Sequence, residues 1–113
     1  MADNKTATLR KQLKIKAGVV KRLAKEKKLY AQENQDLTVK LDKLVADNGD
    51  EWDTKNGRKL VEESERMIED TKKRLGAAVH ELRDLIVQSK ADPALSDAPE
   101  LLNAEEEVKT ATL

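Results

Sequence analysis

Apolar residues recur through the first half of the chain at alternating intervals of four and three. A heptad register on Leu9, Leu13, Lys16, Val20, Leu23, Lys27, Tyr30, Asn34, Leu37, Leu41 and Leu44 places apolar residues at eight of its eleven core positions. A period sustained that long predicts one helix with a coiled-coil seam, from about residue 7 to 46. Thr6 or Thr8 stands where a cap is needed, leaving residues 1–5 as a frayed tail. The polar exceptions Lys16, Lys27 and Asn34 fall mid-stripe, where they must meet water, a partner or an acidic residue opposite.

Asp47-Asn48-Gly49-Asp50 interrupts the pattern. Gly49 suits the left-handed residue that closes a helix, and Asp50 can cap the next, with Asp53 in its first turn. So short a link folds the two helices into an antiparallel hairpin. The second helix, about 51–90, carries a seam at Val61, Ser64, Ile68, Thr71, Leu75, Ala78, Leu82 and Leu85 and a second row at Leu60, Met67, Val79 and Ile86. A stripe that wide has two neighbours, so a third helix is required. Trp52, just after the turn, is expected to cover the last leucines of the first helix. Tyr30 is placed on the seam with its hydroxyl towards solvent.

Asp92-Pro93 stops the second helix near Lys90, because the residue before proline is pushed out of helical geometry. Ala91 to Asp97 reads as a loop. Asp97 with Glu100 resembles a capping box, Pro99 fits a first turn, and Leu101, Leu102, Ala104 and Val108 give a short apolar face over about 98–110. The expected fold is all-α: a rod-shaped antiparallel three-helix bundle, two long coiled-coil-like helices and a shorter third, forming a single domain over residues 1–113.

Composition agrees with long helices. Charged residues make up 39% and hydrophobic residues 38%, regularly spaced, which separates the chain from disordered sequences. Aromatic residues are only 2%, with no Phe and no Cys, so the core is aliphatic and without disulfides. His80 is the one histidine, which with no cysteine rules out the usual His/Cys zinc sites. It stands four residues before Asp84 and reads as a solvated helix-surface pair. The glycines are isolated and build no phosphate loop. The chain therefore reads as a non-enzyme with no catalytic residue, metal or cofactor. The start Met-Ala-Asp-Asn-Lys has no apolar leader and no apolar run could span a bilayer, so the expected place is the cytoplasm. Gly18, Gly57 and Gly76 fall inside predicted helices, where each costs about 1 kcal/mol relative to alanine. Close packing against a neighbouring helix is the favoured reason, with mild destabilisation alone, or close approach of a partner or neighbouring helix at Gly18, the alternatives.

The net charge of zero hides a polarity along the chain. Residues 1–46 hold twelve Lys/Arg against five Asp/Glu, a balance of +7, and residues 47–113 hold ten against seventeen, a balance of −7. Between 10 and 28 stand Arg10, Lys11, Lys14, Lys16, Lys21, Arg22, Lys25, Lys27 and Lys28 against Glu26 alone. That excess points to a docking surface for something acidic. Nucleic acid is disfavoured by the lack of an aromatic stacking platform, and a membrane by the narrow apolar face without Trp or Phe to insert. An acidic protein surface fits best. A helical nucleic-acid-binding module, and a structural coiled-coil adaptor or homodimer in which Lys16, Lys27 and Asn34 set register, remain the alternatives.

The stretch Leu13-Lys14-Ile15-Lys16-Ala17-Gly18-Val19-Val20-Lys21-Arg22-Leu23-Ala24-Lys25-Glu26 resembles the N-terminal signature of the tubulin-specific chaperone A family, also called tubulin-folding cofactor A. Glu63-Ser64-Glu65-Arg66-Met67-Ile68 and Arg74-Leu75-Gly76-Ala77-Ala78 resemble its second helix, and the likeness runs over about 9–90. The tail from Ala91 onward departs from the family pattern. The resemblance implies a non-enzymatic, ATP-independent chaperone of three helices, cytoplasmic and cytoskeleton-associated. Such a chaperone captures β-tubulin intermediates released from the cytosolic chaperonin and passes them to other tubulin-folding cofactors for αβ-dimer assembly. The resemblance implies binding through helical faces, and with the basic face of the first helix and exposed parts of the second as that surface, Lys14, Lys16, Gly18, Lys21, Arg22, Lys25, Glu26, Arg66 and Arg74 are the candidate β-tubulin contacts.

Overall fold

The computed structural model describes residues 2–112. These form helices α1 (Ala2–Ala46), α2 (Glu51–Lys90) and α3 (Pro99–Ala111), with a 3-10 turn at Pro93–Leu95 between the last two. No strand occurs among the described residues. The helices are divided between two compact units. One joins the start of α1, up to Ala24, to the chain from Arg74 onward and is a three-helix bundle; the other, Lys25–Lys73, is an antiparallel two-helix hairpin.

The core of the bundle unit takes Leu9, Leu13, Ala17, Val20 and Leu23 from α1, Leu75, Val79, Leu82 and Ile86 from α2, and Leu95, Ala98, Leu101 and Ala104 from the link and α3. Leu13, Leu82, Leu95 and Leu101 are almost wholly enclosed, and truncating a leucine so placed costs about 2–5 kcal/mol. Small Ala17 and Ala24, each one position past a seam residue, widen the buried face of α1, Ala17 within the core and Ala24 packed partly buried against it. Lys16, a break in the stripe, reaches an acid opposite: its Nζ lies 2.9 Å from Glu81 Oε2. On α3 the expected face is only partly right. Leu101, Ala104 and Val108 pack inward, but Leu102 is exposed, and the apolar contact it was assigned comes from Leu95 and Ala98 ahead of the helix.

The helix starts also differ from the expected ones. Of the anticipated frayed tail, Met1 lies outside the described residues and Ala2 to Lys5 are helical. Neither threonine caps α1. Thr8 Oγ donates back to the Asn4 carbonyl at 2.8 Å, which requires a helical turn already formed, and Thr6 Oγ donates to Asp92 Oδ2 at 2.6 Å. The other Asp92 oxygen accepts from the Ala94 N–H at 3.0 Å and so caps the 3-10 turn inside the anticipated loop. At α3 the cap is Ala98, with no side-chain hydrogen bond, rather than Asp97. Glu100 does not fold back onto a cap; its Oε2 sits 3.7 Å from Arg10 Nε on α1.

In the hairpin unit α1 ends in a Schellman arrangement. The Gly49 N–H donates to Leu44 O at 2.7 Å and the Asn48 N–H to Val45 O at 3.2 Å. Asn48, with φ of 53°, is the left-handed residue, not Gly49. Gly49 is needed for space: a Cβ there would stand 3.0 Å from Leu44 O and 3.1 Å from its Cδ2. Asp50 caps α2 as expected, accepting the Trp52 N–H at 3.4 Å. Trp52, however, is 68% exposed, more than the expected cover over the leucines would leave it. The last leucines of α1 pack against Gly57, where a Cβ would meet Leu41 Cδ1 at 3.3 Å, so the packing reading of the glycines holds there. Asn34 Nδ2 donates to Ser64 Oγ at 2.7 Å, and Ser64 donates on to Val61 O at 2.8 Å, so this polar break in the seam is matched within the chain.

The second row on α2 is two rows. With Val61 at position a of the heptad, Leu60 and Met67 are g positions, while Val79 and Ile86 are e positions on the opposite flank. The e pair is buried, and Leu60 and Met67 stay exposed. Only the e flank meets a third helix.

Candidate docking face on α1

Once the a and d positions of α1 turn inward, its b, c and f positions face outward by the helical period. Lys11, Gly18 and Lys25 occupy f, Lys14 and Lys21 occupy b, and Ile15 and Arg22 occupy c; all are exposed. Among the described residues, Lys11, Lys14, Lys21 and Lys25 have no acidic partner within 4.0 Å. Their charge is therefore presented to solvent instead of being used inside the fold.

Five of the candidate contacts, Lys14, Gly18, Lys21, Arg22 and Lys25, share this face. Lys16 does not, being half-buried on the seam and bound to Glu81. Glu26 is half-buried on a g flank. Arg66 and Arg74 belong to α2, where they are exposed and occupy the different heptad positions f and g. Lys11 was not among the candidates, yet it lies seven residues before Gly18 and so on the same line; that spacing was the available signal.

Gly18 corrects the expectation made for it. No heavy atom lies within 4 Å of where its Cβ would stand, and the same is true of Gly76, so neither is small to admit a neighbouring helix. His80 Nε2 lies 3.6 Å from Asp84 Oδ2 with both side chains mostly in solvent, an exposed i,i+4 pair as anticipated. Among the described residues no group of three or more His, Cys, Asp or Glu could hold a metal, and no helix is long and apolar enough to cross a membrane.

A protein-family profile described as Tubulin binding cofactor A matches residues 8–108 of this chain. The chain belongs to the tubulin binding cofactor A family. Human tubulin-specific chaperone A is 40% identical over 80 residues, which are 71% of this chain and 74% of that protein. The Gallus gallus protein of that name is likewise 40% identical over 80 residues, with the same coverage. The crystal structure of tubulin folding cofactor A from Arabidopsis thaliana superposes with a TM-score of 0.86 at 26% identity, covering 94% of this chain and 97% of that one. Human tubulin chaperone cofactor A gives 0.80 at 33%, covering 93% and 99%. The match to the cofactor A family continues past Ala91 to Val108, so the segment read as departing from the family pattern lies within it as far as Val108, most of α3 included.

Proposed function

We propose that this chain is a tubulin-folding cofactor that captures β-tubulin intermediates released from the cytosolic chaperonin, without ATP, and hands them to other tubulin-folding cofactors for αβ-dimer assembly in the cytoplasm. The observation that carries this reading is the family match over nearly the whole chain. Relatives named for tubulin support it, as does an outward lysine face of the charge that an acidic client requires. In this reading Lys14, Gly18, Lys21, Arg22 and Lys25 form the principal contact, Arg66 and Arg74 add positive charge from α2, and Lys16 and Glu26 border it. The chain works as one functional domain and is not an enzyme. Lys16 and Asn34 find partners within their own chain, which favours a monomer over a homodimer registered by those residues.

The test is size-exclusion chromatography of the purified protein with β-tubulin released from chaperonin, in ATP and after ATP is removed. Co-elution in both conditions is expected. Its absence in both, or its dependence on ATP, contradicts the reading. Light scattering over a dilution series should give a constant monomer mass, and a mass that rises with concentration would restore the homodimer.

A further inference from the structure

A glycine within a helix costs about 1 kcal/mol relative to alanine, and at Gly18 nothing in the fold requires it. Its φ is not positive, and no atom lies within 4 Å of a Cβ position. Its neighbours on the helix surface are Lys14 and Ile15 one turn before and Lys21 and Arg22 one turn after. Lys11 follows one turn further back along the same face. The result is a strip of bare backbone, rimmed by ammonium groups that have no acid partner among the described residues. Ile15, 47% exposed, is its apolar wall.

We propose that this notch seats an extended acidic segment of the client polypeptide, one large apolar side chain lying over Gly18 against Ile15 and the lysine stems, with carboxylates meeting Lys14 and Lys21. The spacing suits a strand-like peptide. Lys14 and Lys21 are separated by about 10 Å along the axis at ~1.5 Å per residue. Side chains of an extended chain alternate sides at about 3.3 Å per residue, so an acid, an apolar residue and a second acid facing the helix stand at i, i+2 and i+4 and span about 13 Å, a difference that the long lysine and glutamate side chains take up. Nucleic acid fits less well, since the face offers no aromatic ring for a base to stack on. The client's identity rests on the tubulin-cofactor reading; the chemistry of the notch does not.

The experiment is fluorescence anisotropy on the full chain, with a short labelled peptide in which glutamates flank one phenylalanine. Its glutamine counterpart and a labelled oligothymidylate of equal charge are the comparison probes. The unaltered chain binds the acidic peptide and not the glutamine one. Gly18→Leu fills the notch with a better helix former, so the fold is not at risk, and it weakens binding at least about tenfold. Lys14→Glu with Lys21→Glu weakens it further, while Gly76→Leu, at the other open glycine, leaves it within about twofold. Unchanged binding by Gly18→Leu, or tighter binding of the oligothymidylate than of the acidic peptide, overturns the proposal. Co-elution with β-tubulin separates the two failures. If the unaltered chain does not co-elute, the cofactor reading fails; if it and Gly18→Leu co-elute equally, only the notch fails.

Discussion

Glycines at 18, 49 and 57 look alike in the sequence and do different things. Gly57 lets Leu41 and Leu44 pack, Gly49 clears Leu44, and Gly18 clears nothing. What a missing Cβ makes room for depends on what stands opposite, which spacing alone cannot supply. Gly18→Ala should therefore stabilise the chain by about 1 kcal/mol, read as a higher midpoint in urea unfolding, whereas Gly49→Ala should lower it because Leu44 must shift. Asp92 is a residue whose importance was equally hidden, since its partner Thr6 is far away in the sequence. The Thr6 hydroxyl, then the Ala94 N–H and the positive field of Lys5, hold its carboxyl below the ordinary value of 3.8. A depressed carboxyl stabilises the fold fully above 3.8 and loses that contribution as pH falls through its folded value. Asp92→Asn should accordingly melt below the unaltered chain at neutral pH, with the gap closing in acid; a gap that is constant from neutral to strongly acid pH would show that the charge of Asp92 plays no part.

The long elements were legible because the heptad repeat carries both the helix and its buried face. The short one was legible as a helix but not in its detail. Asp97 offered a cap by type, yet the 3-10 turn advances the chain so that Ala98 takes that position and Leu95 enters the core. Leu101 and Leu102 separate the two readings of α3. Leu101→Ala should cost about 2–5 kcal/mol, as for an enclosed leucine, and Leu102→Ala no more than about 0.5 kcal/mol, as for a surface change. Chemical denaturation of both variants checks it, and equal losses would mean that α3 packs on a different face. Val79 and Ile86 were rightly expected to need a neighbour, while Leu60 and Met67 were grouped with them although their heptad positions put them on the other flank.

For the molecule as a whole, the segregation of charge was the most informative feature of the composition. It pointed to an acidic partner for α1 but could not tell which charges the fold would consume. Lys16 is consumed by Glu81, whereas Lys14, Lys21 and Lys25 are left outward. The candidate contacts on α2 could not be ranked in this way, because their value depends on the client's shape. The central claim is that the outward lysines of α1 hold an acidic tubulin client. Its most direct test is co-elution of β-tubulin with a Lys14→Glu, Lys21→Glu, Lys25→Glu variant whose helical signal and melting transition match those of the unaltered chain. Loss of the complex is predicted, and a complex that survives the triple reversal at undiminished yield would contradict the account.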